Sequence, residues 1–405
     1  MDRAILAAGC VAAAISVTPA AASAVQVVSR TPAGAPGNGG SLFPLMSGDG
    51  RFVAYSSTAS NLVAGDRNDD SDVFLRNLAS GRMVRVSAAP GGGQANGDSY
   101  PLAVSPRGRY VTFWSDASNL VAGDRNGTWD VFVRDMRTGR VQLVDRTSAG
   151  AAANQGAWAG AVVDAGRLAV FQSWSSSLAH TGGMSQIFVR NLVTGHTWAI
   201  SRSPAGALGD NESELEAVSP DGRFIVYRTL ADNLVPGDTN GAMDVLVYDR
   251  ATHRTTRVDV SSGGAQAPAG ASGPAAIADD GRVAVFESLS GGLVAGARGG
   301  LFAHDLRTGR TWRLDSTTRA FALAGDGASA VISTSAAAGG GLMWIAVGTG
   351  AHAPLPLSSA TGRLLEPALS DSGSALAFFS TATDLPAGPS GALGQVYSVA
   401  LPRMP

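Results

Sequence analysis

Apolar residues in this chain gather in short runs, such as FVAYSS (52–57), YVTFWS (110–115) and FIVYRT (224–229). A sheet with one wet face alternates apolar and polar positions, but these runs are apolar on both faces. Such strands belong in a sheet covered on both sides. Turn residues bound each run, and no 3.6-residue apolar period persists over about ten positions. The pattern predicts an all-β chain.

The runs repeat. SGDGRFVAYSSTASNLVAGDRNDDSDVFLRNLASGRMVRVS begins at Ser47, SPRGRYVTFWSDASNLVAGDRNGTWDVFVRDMRTGRVQLVD at Ser105, and SPDGRFIVYRTLADNLVPGDTNGAMDVLVYDRATHRTTRV at Ser219. Weaker copies begin at Val163, Ala278, Ala324 and Ser370. Each copy carries a turn glycine: Gly50, Gly108, Gly166, Gly222, Gly281, Gly327 and Gly373. A unit resolves into four strands. In the second they are expected at Tyr100–Ser105, Arg109–Ser115, Asp130–Met136 and Val141–Asp145. Four-stranded units that are apolar on both faces stack radially and close into a β-propeller. An open solenoid would need shorter repeats and would expose its ends.

The seventh unit supplies three strands, at Glu366–Ser370, Ala375–Ser380 and Gln395–Leu401. The missing fourth is expected at Val25–Arg30, because VQVVSR matches the fourth strands VRVS and VQLVDR. This closure covers two bare sheet edges. The expected fold is a seven-bladed β-propeller closed by its N-terminal strand. Six blades are the alternative, since units five and six are degenerate.

Residues 1–24 change the picture of where the chain works. Arg3 precedes an apolar stretch from Ala4 to Val17, and Ala22-Ser23-Ala24 follows, as in a cleaved signal peptide. The run is short for a membrane anchor and is cut off by Pro19. The sole cysteine, Cys10, lies inside it, so the domain expected from residue 25 to 405 has neither disulfide nor thiol. Ala8-Gly9-Cys10 as a lipidation site has too little apolar sequence before it. The protein is expected to be secreted or periplasmic, monomeric, and free of membrane spans after cleavage. Net charge is −2 with no basic run, which argues against nucleic acid as a partner.

SPDGRFIVY (219–227), followed by DVLVYDRATHRTTRV (244–258), resembles the WD-like propeller repeats of the TolB type. That resemblance implies a periplasmic or extracellular protein serving as a scaffold. Two features depart from TolB itself: no small α/β domain precedes the repeats, and the GDxN loop is extra. Similar propellers also precede serine peptidase domains and occur in some polysaccharide lyases.

Blade topology sorts candidate residues by face. DGR and TGR turns share one face, with Arg51, Arg82, Arg109, Arg140, Arg167, Arg223, Arg282 and Arg310 after the turn glycines. They read as an anion-binding ring or as solvated turn residues. The other face carries three acidic loops. Their oxygen ligands are Asp66, Asn68, Asp70 and Asp72; Asp124, Asn126 and Asp130; and Asp238, Asn240 and Asp244. Short-spaced carboxylate and amide oxygens suit Ca²⁺, making calcium the one candidate cofactor. No bidentate Glu stands at the twelfth position, where Asn77, Asp135 and Asp249 fall. The alternative is a network of Asx turns.

On the same face Asn38, Asn96, Asn154 and Asn211 sit in inter-blade loops, as blade latches or as a polar ligand surface. Trp129 and Trp158 fall in or beside these loops, placed to stack on a sugar or anchor a partner. Blade packing accounts equally for Trp114 and Trp174. Enzyme signatures are missing: no G-x-S-x-G, no H-E-x-x-H and no Walker loop, and the five histidines do not converge in the pattern. Glu212, Glu214 and Glu216 begin an expected channel strand and are an acid/base candidate or ordinary solvated residues. The expected function is an extracellular or envelope propeller that binds a protein or a glycan. The alternative is a polysaccharide lyase or hydrolase with its site at the channel mouth.

Overall fold

The computed structural model describes residues 25–402, apart from 269–270, 317–319, 334–340, 356, 358–363 and 386–392. The expected signal segment, with Cys10, lies outside the described residues. No helix among the described residues is long and apolar enough to cross a membrane.

Seven four-stranded antiparallel sheets form the molecule. Blade 1 consists of an inner strand Ser41–Met46, a second strand Phe52–Ser57, a third strand Asp72–Asn77 and an outer strand Met83–Arg85. In blade 2 these are Ser99–Val104, Tyr110–Ser115, Asp130–Asp135 and Val141–Leu143, each within two residues of expectation. The inner strands of blades 3 to 6 are Ala157–Val163, Ser213–Val218, Ala271–Ile277 and Ala320–Leu323. Each inner strand touches the inner strands of both neighbouring blades, so the seven enclose a central channel. The count is seven, and the six-bladed alternative is set aside.

Blade 7 is closed by the other end of the chain. Leu364–Leu369, Ala375–Ser380 and Gln395–Ala400 form its first three strands, and Gln26–Val27 pairs against Gln395–Ala400 as the outer one. The joint uses the same contacts as the rest of the ring. Ser29 Oγ donates to Gln395 Oε1 at 2.6 Å, as Ser201 does to Gln186 Oε1 at 2.6 Å and Ser87 to Asp72 Oδ1 at 2.5 Å. The Arg76 guanidinium reaches out of blade 1 to Arg30 O at 2.7 Å, as Arg134 reaches from blade 2 to Ala88 O at 2.8 Å.

The core lies within and between blades. Facing residues on the two middle strands stack as ring pairs: Tyr55 on Phe74, Phe113 on Phe132, Phe171 on Phe188, Phe286 on Phe302 and Phe378 on Tyr397. Apolar clusters then span neighbours, as where Ala54, Val73 and Leu75 meet Val111, Phe113 and Phe132. The turn glycine is doubly required at Gly108. Its φ is +66°, and an added Cβ would sit 2.4 Å from the Phe52 ring of the preceding blade.

Removing residues 25–30 should leave Gln395–Ala400 as a bare edge. The truncated protein is expected to melt lower and to associate with rising concentration in size-exclusion chromatography. Ser29→Ala, which leaves Gln395 Oε1 without its donor, should cost about 1–3 kcal/mol. A truncated protein that melts and elutes like the full chain would disprove the role given to this strand.

Candidate functional site

Inner strands lose register just after the chain enters them from the inter-blade loop. Shifts fall between Leu42 and Leu45, Pro101 and Ala103, Trp158 and Gly160, Leu215 and Ala217, Ala271 and Ala275, and Leu365 and Ala368. A bulge re-aims a side chain and concentrates near functional sites. Three of these positions hold non-glycine residues at positive φ: Phe43 at 53°, Ala159 at 48° and Glu366 at 52°. Such conformations cost on the order of 1 kcal/mol or more and persist where the surroundings impose them. Here the two that line the channel mouth are joined, for the Phe43 amide donates to Glu366 Oε2 at 3.0 Å.

Around this point opens a cleft of about 830 Å³ on the face that carries the acidic loops. Phe43, Tyr100, Trp114, Trp129, Trp158 and Glu366 line it, together with leucines and prolines of the same inner strands. The aromatic rings form one connected group. Trp114 lies 4.0 Å from Trp129 and 4.2 Å from Trp158, centroid to centroid. Tyr100 bridges Trp114 at 5.8 Å and Trp129 at 5.9 Å, and meets Phe43 edge-on at 6.0 Å. Trp158 is 50% exposed and Phe43 45%, against the usual burial of large aromatic residues.

Trp158 also walls a second recess of about 400 Å³, lined by Gln172, Trp174, Glu214, Glu216 and Arg228. Arg228 holds both carboxylates, Nη2 to Glu214 at 2.6 Å and Nε to Glu216 at 2.5 Å. Burial raises the Glu216 carboxyl above its usual range, against the pull of Arg228. The acid/base candidates Glu214 and Glu216 are therefore side by side but tied to one guanidinium. Glu212 stands apart from the residues lining this recess.

The structure brings Trp129 and Trp158 together, and adds Trp114, Tyr100, Phe43 and Glu366, which sequence reasoning did not select. The asparagines are placed elsewhere. Asn96 bonds Ser118 and Asn119, and Asn154 bonds Ser175, Ser176 and Ser177, bracing the inter-blade loop against the long loop of the blade it enters. Asn38 does the same with Ser60 and Asn61. In blade 4 this place belongs to Asp210, which accepts from the Asp232 amide, while Asn211 caps its own neighbour Glu212.

The acidic loops are knit into the protein. Asn68, Asn126 and Asn240 donate to Ala95, Ala153 and Ala267 O in the link to the next blade. Arg85 Nη1 sits between Asp66 at 3.3 Å and Asp72 at 2.9 Å. Arg257 Nη1 sits between Asp238 at 3.0 Å and Asp244 at 2.8 Å. The positive charge expected as calcium is thus a guanidinium in blades 1 and 4. Blade 2 has Leu143 in that place. There Asp124, Asp130 and Asp145 are buried near one another, and an oxygen of Asp130 and one of Asp145 lack a partner. Burial, then the Asp130 charge, push Asp124 to about 6, with Arg146 opposing. Asp70 is raised by burial and then by Asp98, Asp72 and Asp116. No group of three or more His, Cys, Asp or Glu among the described residues is arranged to hold a metal ion.

On the opposite face several turn arginines are occupied. Arg109 pairs with Asp135 at 3.0 Å, Arg223 with Asp249 at 2.9 Å, and Arg282 with Asp305 at 3.0 Å. These contacts support the reading of structural turn residues.

No protein-family model matches the chain, and no curated protein matches it in sequence. Solved structures match it in fold. An oligogalacturonate lyase in complex with manganese superposes with a TM-score of 0.56 at 12% identity, covering 93% of this chain and 90% of that one. The β-propeller domain of the trilobed protease from Pyrococcus furiosus, which has an open velcro topology, gives 0.56 at 10% identity over 89% and 95%. TolB from Acinetobacter baumannii gives 0.41 at 14% identity over 88% and 78%. At these identities the likeness is one of fold. The two matches at 0.56 support a propeller architecture.

Arg257→Met should strand two buried carboxylates and cost about 3–5 kcal/mol in denaturant melts; an unchanged midpoint would show that the pair is not needed. For Asp124 the folded-state pKa lies above the unfolded 3.8, at about 6. The folded chain keeps a proton there that the unfolded chain releases. This stabilisation is present at low pH and is lost as pH rises through about 6. Asp124→Asn should flatten the fall in melting temperature across that window. An equally steep fall in the variant would rule out Asp124 as its source.

Proposed function

We propose that this protein is a binding propeller acting outside the cytoplasm, and that its ligand is a glycan seated in the aromatic cleft at the channel mouth. The carrying observation is the half-exposed Trp158 in ring contact with Trp114. An indole face offers a flat apolar platform with a polar edge, suited to a sugar ring. Size favours a glycan over a folded protein. The cleft of about 830 Å³ lies within the range of roughly 300–1,000 Å³ for small-ligand sites. A stable protein interface needs about 800 Å² on each partner. The signal-like residues 1–24 support export, and the fold itself is compatible with scaffold duty.

The experiment is titration of tryptophan fluorescence in the full chain with a panel of neutral, cationic and anionic oligosaccharides. At least one should bind, and Trp158→Ala should weaken that binding tenfold or more, about 1.4 kcal/mol. The melting temperature should hold, because Trp158 is half exposed. Binding by none of the panel, or equal binding by Trp158→Ala, would overturn the proposal. The lyase alternative is read in the same samples: unsaturated product from oligogalacturonate, with or without manganese, would replace binding by catalysis.

A further inference from the structure

We infer that the glycan taken by this cleft is cationic, one whose sugars carry free ammonium groups; this rests on the glycan reading above. Two features of the cleft select for positive charge. The first is its surface. Aromatic faces carry the negative end of the ring quadrupole, and tryptophan carries the strongest. Five connected rings from three blades present such faces or edges here, with Trp158 and Phe43 open to solvent.

The second feature is the sign of the surrounding charge. Glu366 lines the cleft itself, and Glu214 and Glu216 line the recess on the far side of Trp158. Among the described residues lining the two cavities, Arg228 is the one cation, against these three carboxylates. Arg228 is already shared by Glu214 and Glu216. Asp98 and Asp116 stand near enough to act on the Tyr100 hydroxyl. After burial, their charges are what hold the proton on that hydroxyl more tightly. A ligand resting on the rings therefore meets an excess of carboxylates on both sides.

The consequence differs by ligand class. A neutral sugar gains stacking alone. An anionic sugar meets like charge and the negative ring faces together, a repulsive element that discriminates against it. An ammonium group gains from both the rings and the carboxylates. The strain at Phe43 and Glu366 has a place in this account. It ties the Phe43 backbone to the Glu366 carboxylate where both residues line the cleft.

The test compares ligands that differ in one substituent. Glucosamine oligosaccharides and their N-acetylated counterparts of equal length are titrated into the full chain, below the pKa of the amine and at low salt. Cello-oligosaccharides and oligogalacturonate run alongside. The free amines should bind at least about tenfold more tightly than the acetylated forms, and added salt should shrink that ratio. Glu366→Gln should also shrink it. Equal affinity for the amine and acetylated forms, or tighter binding of oligogalacturonate, overturns the cationic inference and leaves the glycan reading standing. Binding of none overturns both.

Discussion

Each blade of this propeller is apolar on both faces, so no blade can exist in water without two neighbours. Phe113 and Phe132 are fully buried because blade 1 covers blade 2, and Tyr55 and Phe74 because blade 7 covers blade 1. The requirement cannot be met by a linear stack, whose ends would be bare. Ring closure is thus the constraint on which everything else depends. It is carried by contacts between segments more than 350 residues apart in sequence, Ser29 with Gln395 among them. Both the hydroxyl latch and the arginine-to-carbonyl contact at this joint are copies of contacts used elsewhere, so the seam is no weaker in kind.

A closed ring fixes the inner strands from both sides, and it can therefore hold them in bulged and left-handed conformations at one end. The repeats show which positions vary at that end. On the second strand, the position before the last serine or threonine reads Ser56, Trp114, Gln172, Arg228, Glu287, Ile332 and Phe379. The residue preceding it is aromatic in six of the seven blades, and the residue following it is Ser or Thr in all. Those flanking side chains pack the blade. The one between them changes chemistry from blade to blade, and Trp114 and Arg228 at this position line the cleft and the recess. Seven copies in one chain act as their own control: what the fold needs is repeated, and what varies lies at the mouth.

Much of this was legible in the sequence. Near-copies at Ser47, Ser105 and Ser219 give the blade, and the resemblance of VQVVSR to the outer strands gives the closure. The cleft was only half legible. Trp129 and Trp158 stand in or beside recognisable loops, but Phe43, Tyr100 and Glu366 come from three different inner strands, next to bulges. Bulges leave no local signature in a strand of this composition. The arginines between the acidic loops were legible in principle. Aligning the outer strands sets Arg85 and Arg257 against Leu143 and shows which loop lacks its counter-ion. Asn211 does not take the bracing place because the loop sequence GDNES puts Asp210 where blades 1 to 3 have asparagine.

A sevenfold scaffold offers seven equivalent mouth positions, and this chain uses them unequally. Blades 7, 1, 2 and 3 contribute Glu366, Phe43, Tyr100 and Trp158 in unbroken succession, and blade 4 contributes Glu214, Glu216 and Arg228. The aromatic surface is therefore an arc off the channel axis, with charge at its end. A ligand lying along that arc would run across the inner strands, from the strained pair Phe43 and Glu366 to the Arg228 cluster, and would not thread the channel. That geometry suits an extended chain of sugar units better than a single compact molecule. Each blade it crosses presents a different side chain, so a repeated scaffold becomes an ordered row of unlike contacts.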